Sequence, residues 1–290
     1  MIDVTLGIIG GSGLYELPGL EGEWRTIESP WGEPSDAVLV GTLAGTRVAF
    51  LPRHGRGHRI DPTGINYRAN IDVMKRAGVT DLVSLSAVGS LKEHLDPGTF
   101  VIVDQFIDRT FARVKSFFGT GCVAHVSMAY PVSPQLGDRV EAAAKATGAR
   151  YARGGTYVAM EGPQFSSLAE SLLYRTWGAD VIGMTNMPEA KLAREAEISY
   201  ATVAMVTDFD SWHADHGEVD IQDIIRTMNE NSAAARDLVA ELARSMPAER
   251  EPCPSGADTA LEFALITRPE ARDPALLAKL DAVAGRVLKA

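Results

Sequence analysis

Short apolar runs rich in β-branched residues recur along the chain, each cut off by glycine, hydroxyl or charged side chains. They cover residues 4–9, 46–51, 81–90, 181–186 and 198–206. Stretches of helical period separate them: 62–77, 134–147, the segment after Ser167, 189–196 and a long one after Asp220. Short buried strands alternating with helices predict an α/β fold: one domain with a central mixed, largely parallel sheet flanked by helices. Such sheets collect ligands beyond the carboxyl ends of their strands. The residues at those ends therefore carry the functional signal.

The first run stops at Gly10-Gly-Ser-Gly13, whose backbone N–H groups can wrap an anion with the Ser12 hydroxyl as a further donor. A plain glycine turn explains the same residues. The dinucleotide fingerprint fails, because Glu16 takes the third glycine position and Leu17-Pro18 spoils the following helix. The second run enters Pro52-Arg-His-Gly-Arg-Gly-His58, the densest basic cluster in a chain of net charge −10. Arg53 offers a planar fork for phosphate oxygens and His54 a hydrogen bond; a solvated basic loop is the competing reading. The third run closes with Ser86, Ala87, Gly89 and Ser90, and the fourth reaches Thr185 and Asn186. The fifth ends in Asp208-Phe-Asp210. Two carboxylates one residue apart share a side if the strand continues, and their repulsion favours one staying protonated. On that stretch alone a solvated turn is as good an explanation. Phosphate-type donors at several strand ends and acids at another point together to phosphate chemistry with proton donation.

Several classes are disfavoured. Scattered rather than massed basic residues argue against nucleic acid, and no apolar run reaches the ~18 residues of a membrane span. The amino-terminal residues lack a basic stretch of signal-peptide type, and Cys122 and Cys253 lack metal-ligand spacing. These features suggest a reduced, cytoplasmic setting and no metal. Ser167-Leu-Ala-Glu170 is a capping box, with Leu168, Leu172 and Trp177 expected on the helix's apolar side. Asp220 is expected to cap a helix with Ile221, Ile225, Met228 and Leu242 on its apolar face. Residues 1–247 are expected to form the main domain. Residues 248–290 read as a linker and helical tail that docks on the domain or on a neighbouring subunit.

The chain resembles the trimeric purine nucleoside phosphorylases, and within them the branch acting on methylthioadenosine. The likeness rests on Gly10-Gly-Ser-Gly-Leu14, Pro52-Arg-His-Gly55, Asn66-Tyr-Arg-Ala-Asn70, Asp104-Gln-Phe-Ile-Asp-Arg-Thr110, Glu161-Gly-Pro-Gln-Phe-Ser-Ser167, Trp177-Gly-Ala-Asp-Val-Ile182, Met184-Thr-Asn-Met-Pro-Glu189 and Thr207-Asp-Phe-Asp210. It fades beyond Arg244. The resemblance implies attack of inorganic phosphate, a co-substrate, on C1′ of the nucleoside, with no cofactor. It implies that Ser12, Arg53, His54, Ser86, the Ala87 backbone and Thr185 hold phosphate. Ser12 and Ser86 keep the hydroxyl that relatives supply from Thr. Phe165, Ile182 and Met184 would pack on base and ribose. Asp208 would protonate or hydrogen-bond purine N7, and Asp210 would accept from the 6-amino group.

Relatives acting on 6-oxopurines carry Asn at the first acid, so Asp208 favours adenine. Val219, Ile221 and Ile224 would form an apolar lining for a methylthio group. Ser166 lies at a position tied to substrate choice, and His125 would reach in from a neighbouring subunit of a homotrimer. A 6-oxopurine or methylthioinosine phosphorylase is the alternative within the same chemistry. A nucleotide-dependent oxidoreductase or a non-catalytic nucleoside binder is the alternative outside it.

Overall fold

The computed structural model describes residues 3–11, 13–213 and 221–288. Ser12 and Val219 lie outside them, and nothing is described of the Ile221 side chain.

One mixed sheet organises the chain. Strand β1 (Leu6–Gly10) is followed by a hairpin pair, β2 (Glu21–Arg25) and β3 (Val38–Leu43), and by β4 (Thr46–Pro52). The ten-residue β5 (Asp81–Ser90) is the fork of the sheet. Its first residues pair in parallel with β1 on one edge, while its far end, Gly89 and Ser90, takes β10 (Val181–Gly183) antiparallel. The whole of its other edge pairs in parallel with β11 (Ser199–Phe209). The path runs β2-β3-β4-β1-β5-β10 and continues through β9 (Thr156–Ala159) to β7 (Gln105–Asp108). On the other branch β11 meets β6 (Phe100–Ile102), which pairs with β8 (Tyr151–Arg153).

The side-chain period of two explains the two cores. On β11, Ala201, Val203 and Met205 face a cluster with Leu136 and Val140 of α2 (Pro134–Thr147) and Leu238 and Leu242 of α5 (Ile221–Ser245). Tyr200, Ala204 and Val206 face the opposite cluster. That one holds Ile71 and Met74 of α1 (Tyr67–Arg76) and Leu192 and Ala193 of α4 (Asn186–Glu195). Covered on both faces, β11 has no use for alternating polarity, which is why it reads as a continuous apolar run. A Leu238→Ala cavity there would cost roughly 2–5 kcal/mol.

Local signals set the helix ends. Ser133 caps α2 by accepting from the Leu136 N–H, Pro134 opens the first turn, and Gly148 ends the helix at φ +71°. The capping box of α3 (Leu168–Thr176) forms as expected. Three expectations need correction. The first helix begins at Tyr67, not at residue 62, because Asn66 caps it by accepting from the Ala69 N–H. The apolar side of α3 does not enter the core: Leu168, Leu172, Leu173 and Trp177 are exposed, and Ser171 and Tyr174 face inward. Ile225 is likewise about half exposed, and the buried stripe of α5 runs from Asn231 through Ala235 to Leu242.

The tail lies on its own chain. Leu261, Ala264, Leu280, Val283 and Ala284 are buried against α1 and α4, and α6 (Pro274–Lys279) is capped by Asp273. Arg286 holds Glu197 at 2.7 Å, and Arg76 holds Asp281 at 2.5 Å. Among the described residues, no helix is long and apolar enough to cross a membrane.

Candidate active site

A cavity of about 280 Å³ opens where β1, β4, β5, β10 and β11 end. Of the residues singled out in the sequence, Arg53, His54, Ser86, Ala87, Phe165, Ile182, Met184, Thr185, Asp208, Asp210 and Ile224 line it.

One end is rich in donors. Arg53, fully buried, donates from Nε to Glu189 Oε2 at 2.8 Å and from Nη2 to Glu189 Oε1 at 3.2 Å and Ser84 Oγ at 2.5 Å. Its Nη1 donates to the Leu85 carbonyl at 2.9 Å. A guanidinium has five N–H groups, so one N–H on Nη1 has no partner among the described residues and is open to a cavity ligand. Gly11 is required beside it, because a Cβ there would sit 2.5 Å from the Leu85 carbonyl oxygen and 2.9 Å from Nη1. Glu189 also accepts from Tyr200, and Asn186 donates to Ser84, so the cation is held in a buried polar network. Asn186 is thus a structural residue behind the wall. Ser86 Oγ lies 3.3 Å from Thr185 Oγ1 and 3.1 Å from the Tyr157 hydroxyl, so three chain-distant hydroxyls meet at one spot.

His54 differs from the sequence expectation. Its Nδ1 lies 2.8 Å from the Ile60 carbonyl, which can only accept, so Nδ1 carries the hydrogen. Burial, followed by the neighbouring Arg53 charge, pushes its pKa down to about 4. The neutral ring therefore leaves Nε2 as an acceptor. His58 stacks on it at 4.2 Å between centroids, and Tyr15 bonds His58 Nδ1 at 2.9 Å.

The other end is acidic. Strand β11 does persist into Asp208 and Phe209, with a β-bulge: Val206 faces Val88 and Asp208 faces Gly89, leaving Thr207 as the extra residue. Bulges re-aim the side chains that follow. Without it Asp208 would keep the parity of Ala204 and Val206 and point toward the α1/α4 core. Asn231 of α5 supports the kink by donating to the Val206 carbonyl at 2.9 Å. Both acids flank Gly89, where a Cβ would lie 3.3 Å from Asp210 Cβ and 3.4 Å from Asp208 Oδ2. Burial pushes the Asp208 pKa up to about 7; the 2.6 Å bond from the Thr207 hydroxyl opposes this and the Asp210 charge adds to it. Burial also raises Asp210, opposed by the nearby Ser171 and Ser166 hydroxyls and the Ser211 N–H.

The wall between the two ends is apolar, formed by Met160, Pro163, Phe165, Ile182 and Met184, with Ile224 and Met228 of α5 opposite. Ser166 is buried behind this wall, its carbonyl accepting from Ser211 at 2.8 Å. His125 is exposed and not in the cavity; its backbone N–H bonds to Ala264 of the tail. His58, Pro62, Met160, Pro163, Val88, Gly183, Thr207 and Met228 line the cavity without having been singled out as site residues. The basic cluster ending at His58 and the Glu161-Gly-Pro163 segment were the signals that could have found two of them. Among the described residues, no cluster of three or more His, Cys, Asp or Glu could hold a metal.

Residues 5–244 match the profile of the phosphorylase superfamily. The chain is 68% identical over 290 residues to S-methyl-5′-thioadenosine phosphorylase of Bradyrhizobium diazoefficiens, covering 100% of both chains. It is 65% identical to that of Cereibacter sphaeroides, covering 98% of each. Among solved structures, methylthioadenosine phosphorylase from an antarctic soil metagenomic library is similar, with TM-score 0.91 and 46% identity over 98% of this chain and 99% of the other. The Schistosoma mansoni methylthioadenosine phosphorylase in complex with adenine gives TM-score 0.84 and 32% identity, over 93% and 99%.

Proposed function

Since the chain belongs to the phosphorylase superfamily, we propose that it catalyses phosphorolysis of S-methyl-5′-thioadenosine to adenine and 5-methylthioribose 1-phosphate. The products feed purine and methionine salvage. A phosphate oxygen bonds to C1′ as the C1′–N9 bond breaks, the electron pair leaves with the purine, and a proton arrives at N7. The transition state is oxocarbenium-like, so charge must be met at both ends of the substrate.

The remaining Arg53 N–H, the Ser86 and Thr185 hydroxyls, the Ala87 backbone and Ser12 hold phosphate at one end. Neutral His54 meets a protonated phosphate oxygen as an acceptor. Asp208 delivers the proton to N7, help typically worth ~10²–10⁴ in rate. Asp210 accepts from the 6-amino group. Phe165, Ile182 and Met184 pack on base and ribose, with Ser166 supporting Asp210 from behind. Ile224 and Met228, joined by Val219 and Ile221, give the methylthio group an apolar seat that a hydroxyl would not favour. The observation that carries this reading is a carboxyl with a pKa near 7, beside a second acid, in the same cavity as a cluster of anion donors.

The working form we propose is a homotrimer in a cytoplasmic setting. Exposed Phe111, Val114, Tyr130, Leu168, Leu172 and Trp177 supply apolar area for contact between copies. His125 would then face a neighbouring copy's cavity.

The test is release of adenine from methylthioadenosine with and without phosphate, beside hypoxanthine release from inosine and methylthioinosine. Phosphate-dependent adenine release with strong preference for the methylthio nucleoside is expected. Preference for a 6-oxopurine would overturn the substrate, and adenine release without phosphate would indicate a hydrolase.

A further inference from the structure

A buried ion pair behind the apolar wall lies outside the cavity lining, yet two segments of that wall are tied to it. Arg113 and Glu161 meet at 2.8 Å, with 1% and 9% of their side chains exposed. Arg113 Nη1 donates to the carbonyls of Met184 and Met187 and to the Tyr67 hydroxyl at 3.0 Å. Its Nη2 donates to the Glu161 carbonyl at 2.6 Å. One guanidinium thus clamps the 160–165 segment, carrying Met160 and Phe165, against the 184–187 segment, carrying Met184, and anchors both to α1.

The carboxylate extends the clamp. Glu161 Oε1 also accepts from Thr63 at 2.6 Å, next to Pro62 of the cavity. Its Oε2 accepts from the Phe111 and Ala112 N–H groups at 2.6 and 3.1 Å. Burial would raise its pKa, but these bonds and Arg113 outweigh it and hold the pKa down to about 2. Both oxygens are therefore charged acceptors throughout the working pH range. A planar fork meeting several fixed carbonyls is a geometry that Lys cannot reproduce.

We propose that Arg113 and Glu161 are positioning residues for the nucleoside: the pair fixes the spacing of Met160, Phe165 and Met184, and so sets nucleoside affinity more strongly than phosphate affinity. This rests on the phosphorylase reading of the cavity. Thr185 lies on the clamped segment, but the rest of the anion end supports the second half: Arg53 is held by Glu189, Ser84 and Leu85, and Ser86 and Ala87 lie on β5, with no bond to this clamp described for any of them.

Steady-state kinetics of Arg113→Met, Arg113→Lys and Thr63→Val, with both substrates varied, test it. In Arg113→Met the KM for methylthioadenosine should rise by about tenfold or more, a several-fold larger rise than that for phosphate. Arg113→Lys should recover part of the loss, and Thr63→Val, losing one bond to Glu161, should raise the nucleoside KM by roughly two- to fivefold. If Arg113→Met does not fold, the Lys and Val variants decide by the same split. An unchanged nucleoside KM, or equal rises in both KM values, would overturn the inference. A wild-type protein inactive on methylthioadenosine would instead overturn the substrate assignment.

Discussion

The two ends of the cavity are built on opposite plans. At the anion end the charged group is already satisfied: among the described residues Arg53 makes four hydrogen bonds and keeps one N–H for a ligand. At the base end Asp208 is buried with the single bond from Thr207 described for its carboxyl, and its pKa stands near 7. A cation locked by its partners gives a fixed landing place for phosphate without reorganisation. An under-solvated acid is poorly stabilised as an ion, and that makes it a proton donor at neutral pH. The first plan makes catalytic residues part of the scaffold; the second makes one a local burden on it.

Substitutions at the two ends should therefore fail differently. Arg53→Met has the largest expected effect, because it strands Glu189 as a buried unpaired charge. Unfolding by urea should show a loss of roughly 3–5 kcal/mol, together with loss of turnover. Asp208→Asn should lower kcat/KM for methylthioadenosine by well over roughly tenfold while the fold is retained. Equal destabilisation by the two changes would break the contrast.

The same contrast has a pH signature. The folded-state pKa of Asp208 is raised, so the stability linked to its protonation is complete below its ordinary carboxylate range and is lost as pH rises through about 7. Asp208→Asn removes that loss. Its melting temperature relative to wild type should be higher at pH 8 than at pH 5, as differential scanning calorimetry can establish. The smallest effect is expected from Thr185→Val, which removes one neutral hydroxyl beside Ser86. The KM for phosphate should rise by roughly two- to tenfold with the nucleoside KM nearly unchanged.

Strongly patterned elements were legible in the sequence. The limits of β5 and α2 and the capping box of α3 follow from apolar period, Ser133, Gly148 and the Ser167–Glu170 pair. Strand β2 was not, because all of its residues are exposed and it shows no apolar alternation. The apolar side of α3 was visible, but amphipathicity does not say what a face will meet, and here it meets solvent in the single chain. The strand-end residues of the cavity could be named because the chain repeatedly stops its apolar runs with small or polar groups. Their partners could not: Glu189 lies 136 positions from Arg53, and Glu161 lies 48 from Arg113. Nor does any sequence period announce the bulge at Thr207, which aims Asp208 into the cavity.

That aim and that burial make Asp208 an acid near neutrality. The most direct measurement is a carboxyl-region ¹³C NMR titration of the ligand-free protein, with the Asp208 signal assigned by its absence in Asp208→Asn. A midpoint near pH 7 is expected. A midpoint near the ordinary aspartate value of about 4 would contradict it.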